Sequence, residues 1–103
     1  MKTSTLQSML MRNKSTIYYL EQEQLDIISS ISFINTKIKE TPENKDILEV
    51  YKKEEFQDLN RNKKKLKQLA KIQKEIKEEI KKNDKLAAIN KAYIKIINEL
   101  EGG

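Results

Sequence analysis

The chain has 103 residues and a formal net charge of +5, and its hydrophobic and charged residues are almost equally frequent, at 37% and 36%. It contains no Cys and no His, which excludes disulfides, thiol chemistry and thiolate or imidazole metal sites, and removes the usual general base. Both glycines, Gly102 and Gly103, stand at the C-terminus, so a glycine-rich phosphate loop is excluded as well. This composition predicts one small, charge-rich, all-α domain that is not an enzyme and uses no cofactor.

Apolar segments are short throughout. No run approaches the roughly 20 residues that a membrane-spanning helix needs, and the N-terminal apolar patch is too interrupted for a secretion signal. We therefore expect a cytoplasmic protein with no membrane partner and no small-molecule substrate.

Residues 1–14 are predicted to form a separate N-terminal segment. Within "STLQSMLM", residues 4–11, Ser4 and Gln7 have capping-box spacing, so a short helix is expected. Its apolar face consists of Leu6, Met9 and Leu10. This face is predicted either to dock into a groove of another protein or to cap the bundle of the chain's own dimer.

A first long helix is predicted from about Ser15 to Lys39. Its apolar residues alternate at intervals of three and four, the spacing of heptad core positions: Ile17, Leu20, Gln24, Ile27, Ile31, Ile34 and Ile38. The segment "KETPENK" then ends the helix, because Thr41 is a good N-cap and Pro42 suits the first position of a new helix. A connection this short predicts an antiparallel hairpin.

The second helix is predicted to run from Pro42 to about Lys82, with Leu59, Leu66, Leu69, Ile76 and Ile80 on its apolar stripe. Polar residues also occupy heptad positions, namely Gln24, Asn62 and Gln73. They either fix the register of the bundle or lie near a solvated end.

The apolar phase shifts at "NDK", residues 83–85. Asn83 and Asp84 can end one helix and cap another, so a tight turn and a third helix over about 85–100 are predicted. A continuous helix with a phase slip is the alternative. Residues 15–101 then form the helical domain, and residues 102–103 form a disordered tail.

Self-association is predicted from the lengths of these helices. In the hairpin, a first helix that begins near Ser15 has its N-terminus opposite residue 66 of the second helix. The later part of the second helix is then left uncovered. Either the third helix or a second copy of the chain would cover it, and pairing two chains into a coiled-coil-like, dimeric helical bundle is the simplest arrangement. The residues expected to carry this contact are Ile17, Leu20, Ile27, Ile31, Ile34, Leu59, Leu66, Leu69, Ile76 and Ile80.

The stretch "NRNKKKLKQLAKIQK", residues 60–74, contains seven positive charges and no negative one. On a helix, six of the seven form a basic face: Arg61, Lys63, Lys64, Lys67, Lys71 and Lys74. Only one of the seven is Arg, and no aromatic residue interleaves for base stacking. A solvated helix face is therefore favoured over an acidic protein partner or nucleic acid.

These patterns predict a non-enzymatic, homodimeric interaction protein that binds another protein, for example a phage- or plasmid-type regulator or inhibitor of a host factor. The alternatives are a nucleic-acid-binding accessory protein that uses residues 61–74, and a structural or scaffold assembly protein.

Overall fold

The computed structural model describes residues 2–102, and these form two helices joined by one short turn. Helix α1 spans Thr3–Glu40, a 3-10 turn spans Pro42–Asn44, and helix α2 spans Lys45–Gly102. No strand occurs within residues 2–102. The helices fold back on each other to give a rod of 91 × 15 × 14 Å. The predicted all-α class is confirmed.

The turn is built by Thr41 and Pro42. The Thr41 backbone N–H donates to the Lys37 carbonyl at 2.8 Å, and its hydroxyl donates to the same carbonyl at 2.7 Å. Thr41 itself leaves the helical conformation, with φ −130° and ψ 73°, as expected for a residue that precedes proline. Pro42 has no N–H to continue the ladder, so α1 stops here and the chain reverses.

One seam between α1 and α2 supplies the core. On α1, Leu6, Leu20 and Ile27 are buried at heptad spacing, and Ile31 continues the series. Ile27 and Ile31 pack with Leu59 of α2. The half-buried residues of both helices fall mainly at the same three-and-four spacing. Because only two helices meet, each keeps most of its circumference in solvent.

Two asparagine side chains cross the seam. The Asn13 amide donates to the Leu69 carbonyl at 2.9 Å, and the Asn62 amide donates to the Leu20 carbonyl at 2.8 Å. Both hydrogen bonds belong to one antiparallel register. Asn62 is only 1% exposed, so it lies inside the seam and not near a solvated end. A buried polar side chain at a heptad position favours the alignment in which it is hydrogen-bonded, so the two bonds favour this register.

The expected boundary at residue 14 is not a boundary in the structure. Helix α1 is continuous from Thr3, so it begins about twelve residues earlier than predicted, which is roughly 18 Å at 1.5 Å per residue. The polar residues near Asn13 look like a tether in the sequence. They continue the helix because Asn13 finds a partner on α2.

The predicted third helix is not a separate element. Helix α2 runs through residues 83–85 without a break and ends at Gly102, so the structure has the continuous helix. Asn and Asp cost at most about 0.7 kcal/mol each inside a helix, and the good helix formers on both sides outweigh this. Gly102, expected in a disordered tail, is the last helical residue, while Gly103 lies outside the described residues.

The residues expected to mediate self-association line the seam within one chain. Leu20, Ile27, Ile31, Leu59 and Ile76 are buried there, and the others are half-buried, namely Ile17, Ile34, Leu66, Leu69 and Ile80. The longer α1 covers the part of α2 that the prediction left bare. The reason for expecting a dimer at these residues is therefore removed.

Replacing Asn62 by leucine is expected to raise the free energy of unfolding by about 1 kcal/mol, since the buried Asn62 Oδ1 has no hydrogen-bond partner. Urea denaturation followed by circular dichroism measures the change. Asn60→Leu is the matched control, because Asn60 is exposed on the same helix and should change stability little. A lower stability for Asn62→Leu would contradict this account.

Candidate interaction surfaces

The N-terminal residues expected to dock on a partner belong to α1. Leu6 is 4% exposed and lies in the seam, Leu10 is half-buried there, and Met9 is 40% exposed. While the hairpin is intact, another protein can reach Met9 but not Leu6. The three residues therefore do not form one exposed docking face.

Beyond the seam, α2 continues alone. Asn83 is the last residue of the regularly spaced half-buried series on α2, and we call residues 84–102 the arm. Six large apolar side chains of the arm are more than half exposed: Leu86 (58%), Ile89 (53%), Tyr93 (64%), Ile94 (57%), Ile96 (54%) and Leu100 (79%). No part of α1 covers them.

Five of these residues, all except Ile94, share one face of the arm, which we call the arm stripe. Their intervals are three, four, three and four residues, the spacing of heptad core positions. At 100° per residue the arm stripe lies more than a quarter-turn away from the seam. A shallow open groove of about 830 Å³ lies on another side of the arm, beside Ala88, Ala92 and Ile94, and none of the arm-stripe residues lines it.

A second apolar cluster lies at the hairpin end, and we call it the tip patch. It consists of Phe33 from α1 and Tyr51 from α2, both more than half exposed. A groove of about 520 Å³ runs between the two helices beside Phe33 and Tyr51, with Ser29 and Ser30 on its wall. The Lys37 ammonium lies 5.4 Å from the centroid of the Phe33 ring and shields part of it.

The basic face is solvent-exposed along its whole length. Lys63, Lys64, Lys67, Lys71 and Lys74 are all exposed, and none of them makes an ion pair with the described residues. Arg61 differs, since it pairs with Asp58 at 3.3 Å and points to another side of α2. The available charge of this face is therefore a row of lysines spanning roughly 17 Å.

Within residues 2–102 no group of three or more carboxylates converges in a way that could hold a metal ion. No helix in this part of the chain combines the length and apolar character needed to span a bilayer. The concave regions beside the described residues are open grooves.

Comparison of the chain with protein-family models, curated proteins and solved structures found no match. The fold and surfaces define its class: a long antiparallel hairpin of two helices of unequal length, in which the second helix projects beyond the first.

Sequence reasoning placed the arm residues in a separate packed helix and so did not identify them as a surface. The sequence signal for this surface is the shift in the helical phase of the apolar residues after residue 83. A seam that continued along α2 would next place Ala87, Asn90 and Ile94 toward α1, whereas the strongest apolar residues lie one position earlier.

Replacing Leu6 by alanine is expected to lower the free energy of unfolding by about 2 kcal/mol, because its side chain is buried against α2. Leu25→Ala is the matched control, since Leu25 lies on the same helix but is 57% exposed. Thermal denaturation of both variants tests the placement of Leu6. Equal stabilities would show that residues 3–14 do not pack on α2.

Proposed function

We propose that this chain is a non-enzymatic helical interaction protein that self-associates and binds another protein, acting as a regulator or inhibitor by covering a surface of its target. The observation that carries the proposal is the arm, where the five side chains of the arm stripe stay more than half exposed on a part of α2 that α1 does not cover. Exposed apolar surface of this extent marks sites of protein contact.

The thickness of the rod supports a role without catalysis. Two helices side by side give 15 × 14 Å in cross-section, which leaves no interior in which a substrate could be enclosed. Enzyme sites need concave, water-excluding pockets with a few converging polar groups. The groove on the arm and the groove at the tip patch are open and mainly apolar, which suits a protein partner better.

Two separate apolar regions support two separate contacts. The tip patch and the arm stripe lie toward opposite ends of the 91 Å rod, with charged residues between them on α2. A second copy and a different protein can therefore bind at the same time without competing for one surface.

Self-association is tested by sedimentation equilibrium over a hundred-fold range of protein concentration. The expected mass rises from the 12.1 kDa of the monomer to twice that value. A mass that stays at 12.1 kDa at every concentration would contradict the self-association part of the proposal, and growth beyond a dimer would favour a scaffold.

Partner binding is tested with the full chain immobilised and exposed to a cell extract. We expect a specific protein to be retained, and its titration against the purified chain to saturate at 1:1 or 2:2. Comparing a double variant of the tip patch, Phe33→Ser/Tyr51→Ser, with an exposed control pair, Tyr18→Ser/Leu25→Ser, shows whether retention depends on a defined apolar surface. Retention of nothing, or equal retention by both variants, argues against specific partner binding.

A second candidate function, binding of nucleic acid, draws support from the row of unpaired lysines at Lys63, Lys67 and Lys71. Phosphate contacts by such a row are independent of sequence and release counterions. The chain would then act as an accessory protein on a duplex.

If the basic face binds DNA, the affinity for a random-sequence duplex should fall linearly with salt on logarithmic axes between about 50 and 200 mM. Fluorescence anisotropy measures this affinity. Reversing the charge of Lys63, Lys67 and Lys71 should then weaken binding to all sequences alike. Reversal of Lys81 and Lys82, which are exposed on the same helix, is the control. Absence of binding at low salt would remove this candidate.

A further inference from the structure

We propose that two copies of this chain pair through their arm stripes in antiparallel orientation, with the two-fold axis passing beside Tyr93. This inference rests on the proposed self-association and assigns it a surface, an orientation and a register. The other surfaces of the hairpin remain free in such a dimer.

The order of residues along the arm stripe is the first argument. Read in either direction, the stripe is Leu, Ile, Tyr, Ile, Leu, from Leu86 to Leu100. An antiparallel two-fold contact therefore places Leu86 beside Leu100 of the second copy, Ile89 beside its Ile96, and the two Tyr93 rings together. A two-fold interface must be self-complementary in this way. Reversing the intervals of three and four residues again gives heptad core spacing.

The residues beside the arm stripe supply the second argument, charge complementarity. Lys85 and Glu99 flank the stripe on the same side, each one position before a stripe leucine, and both are exposed. In an antiparallel pair of helices, residues on this flank face one another. Lys85 of each copy then meets Glu99 of the other, which gives two symmetry-related ion pairs at the ends of the contact.

Ala92 lies on the same flank, midway between Lys85 and Glu99. The antiparallel register places it opposite Ala92 of the second copy. Small residues at this position let the two backbones approach closely. Along this flank, Lys85, Ala92 and Glu99 of one copy therefore face Glu99, Ala92 and Lys85 of the second copy, in that order.

A parallel pair fits the same residues less well. Lys82 occupies the next stripe position before Leu86, so a parallel, in-register pair would stack two Lys82 side chains on each other. The antiparallel pair holds the two Lys82 residues roughly 33 Å apart. Parallel pairing also separates Lys85 from Glu99 of the other copy, so the flank gains no ion pair.

The arm offers an uncovered length of helix to a second copy. Residues 84–102 span roughly 28 Å of helix that α1 does not cover. In the seam register, α1 begins at Thr3 beside residues 79–80 of α2, and the arm stripe lies on another side of α2. The second copy can therefore approach the arm stripe without displacing α1.

Sedimentation equilibrium of full-length variants tests the surface. Leu86→Asp should weaken dimerisation at least a hundred-fold, because it sets a carboxylate against Leu100 in both halves of the contact. Leu25→Asp is the matched control: Leu25 is 57% exposed against 58% for Leu86, but it lies on α1. It should leave the dimer unchanged. Circular dichroism should show the same helix content in both variants.

Mixing charge variants tests the orientation. Lys85→Glu alone and Glu99→Lys alone should each weaken dimerisation roughly five-fold at low salt, since two exposed ion pairs become repulsive. Equal amounts of the two single variants should instead form the mixed dimer preferentially. One end of that dimer pairs the introduced carboxylate with the introduced ammonium, and the other end keeps the original Lys85 beside the original Glu99. The double variant Lys85→Glu/Glu99→Lys should dimerise like the original chain.

Each contrary result has a distinct meaning. A dimer that persists in Leu86→Asp overturns the arm contact but leaves self-association standing. A dimer lost in Leu86→Asp, but without preference for the mixed charge pair, overturns the antiparallel orientation. A chain that is monomeric at all concentrations overturns this inference and the self-association part of the proposed function, while partner binding at the tip patch is judged by its own experiment.

Discussion

The structure depends on the seam between α1 and α2, and the seam depends on two amide hydrogen bonds for its register. Asn13 and Asn62 each reach across to a backbone carbonyl of the opposite helix. Aliphatic heptad residues supply most of the stabilisation, but leucine and isoleucine layers tolerate a slip by one heptad far better than a buried amide does. Asn62 leaves its Oδ1 unpaired, so some stability is given up for a unique alignment.

This alignment determines which surfaces are left over. With Asn13 beside Leu69, α1 reaches only as far as residues 79–80 of α2, although α2 continues to Gly102. The unequal lengths of 38 and 58 residues leave an arm that no element of the same chain can cover. At the opposite end, the tight reversal at Thr41 and Pro42 exposes Phe33 and Tyr51. The apolar surface at both ends of the rod is the basis of the proposed role in binding other chains.

Predictions from the sequence succeeded where a local residue forces the outcome. Pro42 cannot donate the next helical hydrogen bond, so the hairpin turn was identified at the right place. At residues 83–85 the prediction was wrong, because Asn83 and Asp84 only disfavour a helix and do not prevent one. At residues 12–14 the prediction of a boundary was also wrong, because the contact that decides the local structure there is with the other helix. Asn13 looks like part of a polar tether, and its helical role depends on the Leu69 carbonyl, which is distant in the sequence.

The sequence by itself determined the all-α class, the position of the turn and the faces of the helices that pack, because periodicity and proline act through local geometry. It also determined that no thiol or imidazole chemistry is available, since Cys and His are absent. Only the tertiary structure decided where α1 begins, that Leu6 is buried, and that the apolar residues after Asn83 remain exposed. These features depend on which residues of two long helices lie side by side, and that register is a property of the pair of helices rather than of either one.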